Sequence, residues 1–156
     1  MNLSFVDKEI GKIIKNKKFP YPLNIAMATA WLLGNQKGES LKVLDVNKIS
    51  SLADYFIIAS ATNTTQAKSM ADNISVQLKK HGFCARSIEG LNESDWVLLD
   101  FGDIIVHVFV SSAREVYDLD DVWKEAKRID IPVDYYYSTP EEDKKTDEEQ
   151  SDKNYF

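Results

Sequence analysis

YFIIASATNTTQAKSMADNISVQLKK, residues 55–80, is the stretch that decides the class of fold. Its opening, YFIIAS, is short, rich in aromatic and β-branched residues and almost uniformly apolar, as a strand buried on both faces should be. The Thr/Asn-rich ATNTT after it supplies side chains able to cap a helix. Behind it Ala67, Met70, Ala71, Ile74 and Leu78 return every three or four residues, the spacing of a helix with one apolar stripe. Two Lys and His81 ahead of Gly82 mark where that helix stops. A buried strand running into an amphipathic helix points to an α/β fold with helices packed on a sheet.

Working outward from this unit, residues 41–46 (LKVLDV) read as a preceding strand. Before that, Pro22 stands at a helix start, and Leu23, Ala26, Met27, Ala30 and Trp31 form a core-facing stripe that ends near Gly34 or Gly38. Ser4 with Asp7 resembles a capping box in front of Phe5, Val6, Ile10, Ile13 and Ile14, but KNKKFPYP then breaks the pattern, so residues 1–21 read as an appendage with a short helix. Downstream, residues 83–89, 96–101 and 104–110 read as strands, the last two joined by a tight hairpin at Gly102 and Asp103. Ser112 and Glu115 fit a capping box, and Val116, Leu119, Val122, Trp123 and Ala126 give a last helix its apolar face. The expected architecture is one α/β domain over residues 22–131, a mixed five-stranded sheet flanked by helices, with an acidic and unstructured tail over 132–156.

Composition agrees with one domain: 156 residues, 44% hydrophobic, suffice for a core without staples. Cys84 is the one cysteine, so no intrachain disulfide exists and a reducing, cytoplasmic setting is expected. No apolar run is long enough to span a membrane, so no membrane partner is expected. The net charge of -6 is uneven. Residues 1–20 hold five Lys against Asp7 and Glu9, whereas the body and the tail are both acidic. An acidic body disfavours direct nucleic-acid readout and favours a basic protein partner.

Catalytic constellations are sparse. His81 sits at a helix C-terminus, His107 alternates within a strand and reads as a satisfied sheet histidine, and Cys84 reads as a small strand hydrophobe. Asp45, Asp54, Asp100 and Asp103 lie at strand ends where carboxylates could meet a divalent cation, but no glycine-rich phosphate cradle accompanies them. The DLDD run at 118–121 reads as solvated helix surface. What stands out is an acidic and aromatic group, Glu89, Glu93, Asp95, Trp96, Asp100, Tyr117 and Trp123. Within it Trp96 comes directly after a polar loop and is placed to be either an interface anchor or a core cap.

Several blocks of the sequence resemble the ribosomal silencing factor family, also known as RsfS or Iojap. They are VLDV at 43–46, SSLADYFIIASATN at 50–63, IEG at 88–90, DWVLLDFGDIIVHVF at 95–109 and REVYDLDDVW at 114–123. The resemblance covers residues 23–125 and implies a fold similar to nucleotidyltransferases. It implies no enzyme activity, no cofactor and no metal: the factor would bind ribosomal protein fourteen of the large subunit and sterically block joining of the small subunit, repressing translation. Carried over by motif, the partner-binding residues would be Glu89, Gly90, Trp96 and Asp100, with Asp54, Tyr55 and Tyr117 as weaker candidates. Ala61 departs from the family's usual glycine, and residues before Pro22 and after Pro140 lie outside its pattern. The alternative is a metal-dependent nucleotidyltransferase-like enzyme using Asp100 and Asp103. A homodimerisation module built on apolar surface around Trp96 is a third reading.

Overall fold

The computed structural model describes residues 3–92 and 95–136. Two helices lead, α1 (Leu3–Ile14) and α2 (Leu23–Asn35), followed by β1 (Glu39–Asp45), β2 (Tyr55–Ala61), α3 (Thr64–Lys80), β3 (Ser87–Glu89), β4 (Trp96–Asp100) and β5 (Ile104–Val110). Short elements close the chain: α4 (Ser111–Tyr117), α5 (Leu119–Val122), β6 (Lys127–Ile129) and a 3-10 turn (Val133–Tyr135). The six strands form one mixed sheet in the order β3-β4-β5-β2-β1-β6, with β2 and β5 parallel and the other pairs antiparallel. The parallel pair requires a crossover, and α3 begins that return.

Strand alternation divides the core in two. Leu41, Val43, Ile57, Ala59, Val97, Leu99, Val106 and Val108 face a cluster shared with α1, α2 and α3. Leu44, Phe56, Ile58, Ile105 and Phe109 face a smaller cluster closed by Ala113 and Leu119. Helix α2 is buried nearly all round because α1 and the 3-10 turn cover the side away from the sheet. Gly34 permits that layer: a Cβ there would lie 2.1 Å from the Tyr135 carbonyl oxygen. Asn63 caps α3, its side chain accepting from the Gln66 amide, and Gly82 leaves the helix at φ 90. Gly102, at φ 88, turns the β4–β5 hairpin as its sequence requires.

Several expectations change. Among the described residues the sheet has six strands, not five; β6 is three residues long and carries too little alternation to be read. The strand expected over residues 83–89 forms only at Ser87–Glu89, which leaves Cys84 exposed outside it. The single last helix is two, because Asp118 adopts the left-handed conformation at φ 47 and rotates the chain beyond it. Val116 and Val122 are therefore 79% and 69% exposed instead of facing the core. The capping box at Ser112 does not form: the residue before α4 is Val110, without a side-chain cap, and Ser111 instead donates to the Ala61 carbonyl at 3.0 Å. Residues 1–21, read as an appendage, bury Val6, Ile10 and Ile13 in the same cluster as α2. Of the tail expected to be unstructured over 132–156, residues 133–135 instead form the 3-10 turn and bury Tyr135 against α2, while Glu93 and residues 137–156 lie outside the described residues.

Candidate partner-binding face

The sheet face beneath α4 and α5 gathers most of the residues singled out in the sequence. Alternation along β4 turns Trp96, Leu98 and Asp100 to this side, and pairing places them opposite Phe109, His107 and Ile105 of β5. Pairing of β3 with β4 adds Glu89 beside Leu98 and Ser87 beside Asp100. Trp96 stacks on Phe109 with centroids 5.0 Å apart and lies 4.9 Å from the Tyr117 ring. Phe56 meets Trp123 edge-on at 5.0 Å and His107 edge-on at 5.0 Å. Trp96 is half-buried: its stacked face belongs to the fold and caps the core, and its remaining surface faces outward.

His107 fixes the indole. Trp96 Nε1–H donates to His107 Nδ1 at 3.1 Å, so the neutral ring carries its proton on Nε2. That Nε2 is buried and has no hydrogen-bond partner among the described residues, which departs from the reading of a fully satisfied histidine. Burial holds His107 down to a pKa of about 4, so it is neutral at physiological pH.

Helices α4 and α5 are pinned over this face by Arg114, a buried cation. Its guanidinium donates to the Ser40 carbonyl at 2.5 Å, to Ser60 Oγ at 3.0 Å and to both Asp120 oxygens at 3.1 Å. Lys42 adds a second cation to Asp120 at 2.5 Å. Hydrogen bonds from Arg114 hold the Asp120 carboxyl well below the usual carboxylate range. Asp120 is thus a structural ion-pair partner and not solvated surface as the DLDD run suggested. Sequence reasoning missed Arg114 altogether; the signal available was an arginine four residues ahead of an acidic run.

Not every candidate joins the face. Gly90 turns the chain at φ 83 directly after Glu89. Tyr55 packs toward the larger cluster on the other side of the sheet. Asp54 accepts from Asn47 Nδ2, and its amide donates to the Asp103 carbonyl at 2.8 Å. Asp103 accepts a 2.6 Å hydrogen bond from the Tyr21 hydroxyl, which pushes that phenol up to about 12. Asp100 Oδ1 accepts from the Gly102 amide at 2.8 Å within the hairpin turn. Among the described residues no group of three or more His, Cys, Asp and Glu side chains is placed to hold a metal ion. Among the same residues no helix is long and apolar enough to cross a membrane.

The sequence pattern of the family described as "Ribosomal silencing factor during starvation" matches residues 22–155. The chain belongs to this family. It is 40% identical over 91 residues to the ribosomal silencing factor RsfS of Haemophilus influenzae, covering 58% of this chain and 89% of that one. It is also 35% identical over 97 residues to the RsfS of Bacillus subtilis, covering 62% and 82%. A crystal structure of a Chromobacterium violaceum protein superimposes with a TM-score of 0.61 at 28% identity, covering 81% of this chain and 92% of that one. The match begins at Pro22, so α1 precedes the part this silencing-factor family member shares with the family pattern.

Proposed function

We propose that this chain silences ribosomes in the cytoplasm by docking its aromatic sheet face on ribosomal protein fourteen of the large subunit, which sterically prevents the small subunit from joining. Family membership supports silencing, and the observation that carries the site is Trp96, half-buried and held by His107, Phe109 and Tyr117 with Glu89 and Asp100 on the same face. A preorganised aromatic anchor with carboxylates around it suits a basic ribosomal protein: the ring supplies desolvated contact and the charges steer encounter. No bond is made or broken in this mechanism; occupancy of the subunit-joining surface is the whole effect. Asp54 and Tyr55 stand apart from this face and have no part in the proposed contact.

The test is sedimentation of purified ribosomal subunits with the protein, wild type and Trp96→Ala, reading co-migration and subunit joining together. The expected result is co-migration of wild type with the large subunit and blocked joining, both lost in the variant. Failure of the wild type to co-migrate would sink the proposal.

A further inference from the structure

The cations of the N-terminal segment are arranged, not scattered. At about 100° per residue, Val6, Ile10 and Ile13 of α1 share one side, and that side is buried. Lys8, Lys12 and Lys15 fall on the opposite side within one narrow stripe; Lys15 continues the helical pattern, its amide donating to the Gly11 carbonyl at 3.1 Å. Lys17 and Lys18 come directly after, and all five lysines are exposed. The two acids of the segment are engaged locally: Glu9 pairs with Lys12 at 3.1 Å, and Asp7 lies 2.8 Å from His81 Nε2. The Asp7–His81 contact also brings the end of α3, with Lys79 and Lys80, beside α1. A protein of net charge -6 therefore carries a concentrated basic surface on an element outside the family pattern.

We infer that the outer face of α1, which packs on the side of the sheet opposite the aromatic face, contacts the phosphate backbone of large-subunit ribosomal RNA, an inference that rests on the ribosome-binding reading above. Regular phosphates reward a row of lysines through counterion release, without any reading of bases. The acidic rim near Trp96 and the lysine stripe of α1 lie on different elements and suit partners of opposite sign, a basic protein and an RNA. A membrane surface is the poorer fit, because Val6, Ile10 and Ile13 are already buried in the core and leave Phe5 as the one exposed large apolar side chain among the described residues of α1.

The experiment uses the full chain and the triple variant Lys8→Gln, Lys12→Gln, Lys15→Gln against three probes: a short A-form RNA duplex, isolated ribosomal protein fourteen, and vesicles containing anionic phospholipid. All three lysines are exposed, so the variant's thermal melt should match wild type. The expected result is RNA binding weaker by about tenfold or more at low salt, with a log–log salt slope shallower by about 2. Binding to ribosomal protein fourteen stays unchanged. Equal RNA binding by wild type and variant overturns the inference, as does equal, lysine-dependent binding to vesicles. If wild type ignores ribosomal protein fourteen but retains lysine-dependent RNA binding, the docking reading fails while the basic surface stands.

Discussion

The sheet face under α2 and α3 is aliphatic, lined by Val43, Ile57, Leu99 and Val106, whereas the face under α4 and α5 is aromatic around Phe56, Trp96, His107 and Phe109. The first is sealed by long helices and carries the fold. The second is roofed by two short helices held through Arg114 and Asp120, and it leaves Trp96, Leu98 and Trp123 half-buried. The contrast fits the proposed division of stability from recognition: deeply enclosed aliphatic contacts set the first, and rings with one exposed side are available for the second.

The largest expected effect tests that separation directly. Ile57→Ala should lose about 3 kcal/mol of stability in urea unfolding, because a fully buried side chain leaves a cavity. Leu98→Ala, on the open face, should lose about 1 kcal/mol; equal losses would mean that both faces are equally closed. Next, Trp96→Ala should weaken binding to the large subunit by about 2 kcal/mol, roughly 30-fold. Trp96→Phe, which keeps stacking but not the donor to His107, should fall between that variant and wild type in the same assay. Arg114→Met should cost about 2 kcal/mol in a thermal melt, less than a fully enclosed pair would, because Asp120 keeps Lys42 and some solvent.

A smaller effect comes from pH. His107 has a folded pKa of about 4 against 6.5 when unfolded, so the unfolded state takes up the proton first. Its contribution to stability is complete above pH 6.5 and declines as pH falls toward 4, by at most about tenfold in the unfolding equilibrium per pH unit. His107→Phe should flatten the stability profile in that window, and an unchanged slope would assign the acid loss to other groups. The smallest effect lies at the rim: Glu89→Arg should slow association with a basic partner several-fold at low salt and remove part of its salt dependence, measured by stopped flow.

Periodicity made the covered face readable. Met70, Ile74 and Leu78 could face only one way on a capped helix, and the alternation of residues 104–110 fixed both sides of the central strand. The roof of the other face was not readable in the same way. One left-handed residue, Asp118, turns an apparent apolar stripe outward, and nothing local in the sequence compels that conformation on a non-glycine residue. Arg114 meets Ser40 and Ser60 across more than fifty positions of chain, a pairing that no local spacing encodes. Within the candidate site, Trp96, Asp100 and Glu89 were singled out by their acidic and aromatic chemistry and by motif; strand alternation and the β3–β4–β5 register are what carry them to one side. Tyr55 joined the candidates by motif alone; its place beside Phe56 in the same strand assigns it to the opposite face.

The borders of the sheet have a consequence for how this protein meets others. β3 and β6, the outermost strands, are three residues each and bear Glu89 at one border and Lys127 and Arg128 at the other. Strands this short and charged offer little template for a foreign strand to extend the ladder. The molecule can therefore keep a half-open aromatic surface at high concentration without inviting fibrous stacking, and the margins of the sheet are poor sites for β-augmentation, in keeping with the proposed docking through its face.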